Sequence, residues 1–454
     1  MKRATFLKKI LAAALAAVLF AMPLTGCFVK VNDRNERLET PAVKPTEKPT
    51  EGPKGEAENW AEHMNVITLK NDVREMKASS FDEKLMSYLS ENTGGNFMAS
   101  PLSFRYALGL LLSGAEGETK AELLKALGVR DEQEWTDTCL RFNAFVEQYA
   151  EGFAHELSEY KQYVKQGYVP ADSAEPYRAL RVANSVWRNE NLEKKFTEAY
   201  TEKVSKNYAA EYRTFLPENV VQKVNEWASI KTEKMIERLL PDNYDARSLA
   251  VVLMNALYFK DSWCNEFFEG GTQTGDFTTK TGAVTQKEFM QQVDHFLYYK
   301  DDATELLVMP MKGGVNMVFV LGETDALAEK INKAQSRKVR VKIPKIDLET
   351  SFERGEFVAF LKANGVSLAF DDRADFSGMI DHPIFVGDII QKTRIKLDEK
   401  GVEAAAVTAI LQVETAMPQP EEPIEFNADR PFSFSIYANL DGEMATMFAG
   451  QIVE

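Results

Sequence analysis

The chain has 454 residues, 44% of them hydrophobic, and sets 54 Lys plus Arg against 69 Asp plus Glu for a formal net charge of −15. With no basic run, that balance excludes nucleic acid as a partner, and the lack of any repeat of about 20 to 50 residues excludes solenoids and propellers. The four histidines, His63, His155, His295 and His382, stand in no ligand-like spacing with Cys or Glu, so no metal and no cofactor is expected.

At the N-terminus Lys2, Arg3, Lys8 and Lys9 precede an apolar stretch over residues 10–23. It is shorter than the about 20 helical residues that span a bilayer, and it has the build of an export signal. Leu24-Thr25-Gly26-Cys27 resembles the bacterial lipobox, in which the cysteine thiol is diacylated. Residues 1–27 are therefore expected to be a signal peptide, and Cys27 a lipid anchor on the outer face of a bacterial membrane. Residues 28–64 are rich in Pro, Thr, Lys and Glu. Such a segment buries too little surface to offset its ordering entropy and is read as a tether.

Residues 65–454 make one domain large enough for a substantial core. Residues 79–90 place Phe81, Leu85 and Leu89 on one helical face behind a Ser79 or Ser80 cap. Ser100-Pro101 opens a second helix that is apolar nearly all round and should be buried. Thr119 and Glu122 have capping-box spacing before a helix ending at Gly128. Residues 140–180 are charged and read as helix and loop by turns. Beyond them "RVANSVWR", "LAVVLMNALYFKDSW", "ELLVMPMKGGVNMVFVLGE", "KVRVKIPKIDLETSF" and "FSFSIYANLDGEMATMFAGQIVE" carry strand-type residues with hairpin punctuation, and "FERGEFVAFLKANGV" reads as a helix. The fold class is α+β with large antiparallel sheets. Only Cys139 and Cys264 remain after lipidation, too few for a disulfide framework, and a single bridge between them stays open.

The stretch "EKGVEAAAVTAILQVETAMPQPEEP" is unusual so close to the end of the chain. As a helix it keeps no apolar stripe. As a strand, one face carries Val402, Ala404, Ala406, Thr408 and Ile410, small or apolar throughout, while Glu403, Ala405, Val407, Ala409 and Leu411 form the other. Pro418, Pro420 and Pro423 then forbid a central strand. Such a segment would be exposed, yet built to enter a sheet.

This region closely resembles the reactive-centre loop of serpins. Glu399, Gly401, Val402, Ala404, Ala405, Ala406 and Val407 match the hinge. The resemblance runs over about residues 78–454. "NFMASPLSF" matches the entry to the central helix with Ser100 and Ser103, "ANSVW" the strand with Asn184 and Trp187, and "MNALYFKDSW" the motif with Asn255 and Trp263. It implies helices packed on three large, mostly antiparallel sheets, an exposed reactive-centre loop near the C-terminus, and a sheet-opening region of Ser100, Ser103, Asn184, Asn255, Trp263 and Gln391. Gln391 stands where many members have histidine, and Lys234 where a glycine is usual.

The resemblance further implies a monomeric suicide-substrate protease inhibitor without enzymatic activity of its own. Counting from Gly401 puts the reactive bond at Thr415–Ala416, with Val413 and Met417 as alternatives. A small residue there fits a subtilisin-like or elastase-like serine protease, with papain-like cysteine proteases as a further class. The rival reading is a non-inhibitory serpin acting as a cell-surface binding protein, whose mark would be a hinge spoiled by charge or proline. A penicillin-recognising hydrolase would use Ser158-x-x-Lys161 and Lys280-Thr281-Gly282, but those patterns are short and lack a companion S-D-N.

Overall fold

Ser100 and Pro101 open the helix that the two sheets share. In this computed structural model, which describes residues 75–244, 247, 249–352, 355–387, 389–402 and 422–454, the first elements are β1 (Lys77–Ala78), α1 (Ser80–Asn92), β2 (Phe97–Ala99) and α2 (Pro101–Leu112). The Ser79 hydroxyl caps α1, whose buried residues include Phe81, Leu85 and Leu89. Ser100 caps α2, proline occupies its first turn, and all but one of its residues are buried, as its apolar circumference requires.

Then come α3 (Gly117–Leu127), α4 (Glu132–Gln166), β3 (Ala179–Asn189), α5 (Glu198–Tyr208), β4 (Glu211–Phe215), α6 (Val220–Lys231) and β5 (Val251–Ser262). α3 ends at Gly128 in the left-handed region, φ 70°. Its expected capping box is not formed. Thr119 lies inside the helix and accepts from the Asp375 N–H at 3.0 Å, and Glu122 accepts from the Ser367 and Leu368 N–H groups at 2.7 and 2.8 Å. These side chains bind a distant loop instead. α4 is one helix of 35 residues, where the sequence suggested broken structure.

The remaining elements are β6 (Gln273–Thr278), β7 (Val284–Lys300), β8 (Thr304–Pro310), β9 (Asn316–Gly322), α7 (Leu327–Lys333), β10 (Gln335–Pro344), β11 (Ile346–Phe352), α8 (Glu356–Ala363), β12 (Gln391–Asp398), β13 (Gly401–Val402), β14 (Ile424–Asn427), β15 (Phe432–Leu440) and β16 (Glu443–Ile452). Among the described residues they form a six-stranded sheet, ordered β11-β12-β13-β5-β3-β4, and a ten-stranded one, ordered β1-β16-β15-β9-β8-β7-β10-β14 with β2 on β16 and β6 on β7. Hydrogen bonding thus joins the three expected sheets into two ladders. The 17-residue β7 is the cause: its body pairs with β6 and β10, and its last residues, Leu297 to Lys300, pair with β8.

α2 packs against β5 of one sheet and β16 of the other, so the main hydrophobic core lies between the sheets. A second cluster seats α6 on β3, β4 and β5 through Trp187, Phe215, Val224, Trp227 and Met254. Cys139 is buried in α4, and neither it nor Cys264 is in a disulfide.

Candidate functional site: the hinge and the slot it enters

β12 and β5 run parallel to one another. Between them stands β13, antiparallel to both: Leu397 pairs with Val402 and Asp398 with Gly401 on one side, while Gly401 pairs with Ser262 and Val402 with Asp261 on the other. Among the described residues no ladder joins β12 to β5 directly. The two strands therefore form the walls of a slot, and Gly401–Val402 is the start of a strand within it.

Gly401 is required here by space and by backbone. Its φ is +142°, and a Cβ would run into the Asp261 carbonyl oxygen with Ser262 Cα 2.7 Å away. Val402 beside it is 3% exposed, with its side chain on the core face shared by Leu397 and Asp261.

The turn leading into β13 is held by Trp263. Its backbone N–H donates to the Lys400 carbonyl at 2.9 Å and its indole Nε1–H to the Asp398 carbonyl at 3.1 Å; the Phe267 N–H donates to the Glu399 carbonyl at 2.8 Å. Glu399 itself is buried, accepting from the Thr272 hydroxyl at 2.5 Å and pairing with Lys345 at 3.0 Å. Burial raises its carboxyl, but the Thr272 hydrogen bond and the Lys345 ammonium outweigh that, and the net result lies below the ordinary carboxylate value. No local spacing in the sequence links Thr272 and Lys345 to Glu399.

The residues expected to govern sheet opening fall into two groups on the walls. Gln391, first in β12, donates through Nε2 to the Ser100 carbonyl at 3.0 Å and accepts at Oε1 from the Ser100 N–H at 2.7 Å. The Ser100 hydroxyl donates to the Met447 carbonyl at 2.6 Å and accepts from the Ser103 N–H at 3.3 Å. Across the slot, Asn255 of β5 donates to Asn184 Oδ1 of β3 at 2.6 Å, and Asn184 donates to the Tyr208 carbonyl closing α5 at 2.8 Å. Asn255 Oδ1 is buried without a hydrogen-bond partner among the described residues. Trp263 stands with the hinge turn, apart from both groups.

The turn after α6 carries Glu233 at φ 50° and Lys234 at φ 67°. The conformation expected of a glycine is kept by lysine, its N–H bonded to the Ser229 carbonyl at 2.7 Å. Ser158 and Lys161 lie on the exposed part of α4, with Lys161 paired to Glu175 at 3.0 Å, while Lys280-Thr281-Gly282 is the turn between β6 and β7. They form no common site. Ala404, Ala405, Ala406, Val407, Val413, Thr415, Ala416 and Met417, together with Cys27, lie outside the described residues. Among those described, no group of three His, Cys, Asp or Glu side chains has the arrangement of a metal site.

Residues 76–454 match the family model described as Serpin (serine protease inhibitor). The chain belongs to the serpin family. It is similar to Serpin-Z1B of Triticum aestivum, 30% identical over 421 residues that cover 86% of this chain and 98% of that one. The crystal structure of Serpin48 from the insect Tenebrio molitor is 26% identical, covers 83% of this chain and 96% of the other, and superposes with a TM-score of 0.64. Thyroxine-binding globulin in complex with thyroxine, at 21% identity and a TM-score of 0.62 over 83% of this chain and 97% of that one, shares the fold alone. The serpin fold is thus established for this chain. Serpins are in general protease inhibitors and not enzymes, and the family also contains binding proteins.

Proposed function

We propose that this serpin is a suicide-substrate inhibitor of a serine protease, with residues 403–421 as bait. The observation that carries the reading is β13: a two-residue strand, antiparallel to both walls, already seated between β5 and β12. The protease nucleophile would attack the Thr415 carbonyl carbon, form an ester, and expel the Ala416 amine. The freed segment would then continue β13 down the slot. Roughly 14 residues at about 3.3 Å each would carry the bound protease some 45 Å.

The register supports this. Extending the observed pairs puts Ala404 opposite Phe259 and Ile395, Ala406 opposite Leu257 and Thr393, and Thr408 opposite Asn255 and Gln391. The even-numbered residues would share the core face with Val402, which is why small side chains suit it. Thr408 would arrive where Asn255 Oδ1 lacks a donor among the described residues.

A small residue at Thr415 points to a subtilisin-like or elastase-like target, with papain-like enzymes as the further class and Val413 and Met417 as alternative cleavage points. A diacylated Cys27 and the tether over residues 28–64 would hold a monomeric inhibitor on the outer face of a bacterial membrane, where extracellular proteases are met. Limited cleavage of the loop tests the reading: thermal stability should rise once the segment is free to insert, and an unchanged or lower melting temperature would overturn it.

A further inference from the structure

The loop re-enters the fold at β14, which lies parallel to β10 with Arg340 opposite Glu425 and Lys342 opposite Asn427. On that same face of β10, Lys338, Arg340 and Lys342 recur at the strand period of two, facing His295, Val293 and Gln291 of β7. In a chain of net charge −15 this is an unusual concentration of positive charge. Only part of it is answered locally. Arg340 pairs with Glu425 at 3.2 Å, both half exposed, and Lys342 approaches Asp429 at 3.9 Å, while Lys338 has no ion-pair partner among the described residues. Val293 stays 46% exposed among these cations, an apolar side chain on the open face of a sheet.

We propose that this face is an exosite for the target protease, receiving an acidic patch on the enzyme next to its active-site cleft. This rests on the inhibitory reading, since it is the loop that brings the protease here. Seven residues separate Ala416 from Ile424, at most about 30 Å of extended chain, so an enzyme gripping the bait stands within a domain diameter of β10. The acidic remainder of the serpin repels an acidic enzyme in other orientations, and the cationic row attracts it in the one that presents the loop. Val293 supplies apolar contact at the centre.

The test uses the whole chain with subtilisin, a pancreatic-type elastase and papain, following the enzyme trapped fastest. Association rate and inhibition stoichiometry are measured against ionic strength for the parent, for Lys338→Glu, which breaks no ion pair among the described residues, and for Lys338→Glu/Arg340→Glu. The expected result is an association rate lower by roughly tenfold for the double variant at low salt, converging on the parent at high salt, with stoichiometry unchanged. Equal rates and equal salt slopes in all three overturn the exosite while leaving the inhibitory mechanism intact. Equal association rates with altered stoichiometry overturn it too. A parent that traps none of the three enzymes removes the inhibitory reading and the exosite with it.

Discussion

Gln391 and Ser100 are joined by a reciprocal pair of hydrogen bonds, amide Nε2 to the Ser100 carbonyl and Ser100 N–H to amide Oε1, both buried. The amide is thus the link between the first residue of β12 and the cap of the central helix. Gln391→Ala leaves a buried N–H and a buried C=O unpaired, which should cost about 3 kcal/mol and lower the melting temperature by roughly 4 °C. Gln391→His can keep both bonds only while the imidazole is neutral, because protonation removes its acceptor nitrogen. Its stability should therefore be fully present above the ordinary histidine value and fall as pH drops below about 6.5. Melting curves between pH 5 and pH 8 would show this for the variant and not for the parent.

Gly401→Ala places a methyl group against the Asp261 carbonyl and Ser262 Cα, so the start of β13 cannot sit between its walls. The expected outcome is a folded protein that is cleaved and turned over, with stoichiometry rising severalfold. Ala404→Pro should behave alike, since proline can donate no ladder hydrogen bond in a central strand. Covalent complex in undiminished yield from both would remove the hinge role assigned to Gly401 and Ala404.

Thr408→Val keeps the shape of the side chain and removes its hydroxyl. The uncleaved protein should melt as the parent does, whereas the stability gained on cleavage should shrink by about 1 kcal/mol, because Asn255 Oδ1, without a donor among the described residues, would not gain the Thr408 hydroxyl. An identical gain in parent and variant would show that the loop does not bring Thr408 to Asn255.

Asp261, whose backbone pairs with Val402, has a fully buried carboxyl raised to about 6 by burial, which outweighs the Arg178 charge and the hydrogen bonds from the Gly313 and Ser262 N–H groups. Asp82 is likewise raised to about 6 by burial, with Arg105 the chief opposing charge. Both groups hold a proton more tightly folded than unfolded, so stability should fall as pH rises from about 4 to 6 and then level off. Each contributes on the order of 3 kcal/mol at most. Asp261→Asn and Asp82→Asn should each remove part of that slope in a pH series of unfolding rates. A slope untouched by both would assign the pH dependence to other groups.

Lys234 adopts φ 67°, directly after Glu233 at φ 50°. Such backbone is strained for side chains with a Cβ, so Lys234→Gly should stabilise the protein by about 0.5–1 kcal/mol, net of the extra freedom glycine has when unfolded. Chemical denaturation compared with the parent measures it, and a loss of stability would mean that the lysine side chain contributes more than the turn costs.

What the sequence made legible was local. The Ser100 cap, the Pro101 start and the Gly128 stop each follow from neighbours a few residues apart, and each appears where its chemistry requires. What stayed hidden depends on partners far along the chain. Thr119 and Glu122 have the spacing of a capping box, yet the 367–375 loop takes their oxygens. Glu399 reads as a hinge carboxylate, and its partners Thr272 and Lys345 lie far from it in the chain. The charged stretch over 140–166 reads as broken structure because its half-buried residues, such as Tyr160 bonded to the Ser173 and Ala174 carbonyls, pack on a returning loop instead of on an apolar face. The joining of the expected sheets likewise depends on how far β7 extends, which its alternation alone does not reveal.

The central claim is that a protease cutting the loop is trapped because the freed segment continues β13 between β5 and β12. The most direct measurement mixes the chain from about residue 60 with subtilisin, elastase, trypsin and papain, followed by denaturing gels and the mass of the released C-terminal peptide. A band at the summed mass that survives boiling in detergent, with a peptide beginning at Ala416, is the predicted result. Cleavage by the whole panel with no such band, and no gain in thermal stability afterwards, would contradict the account.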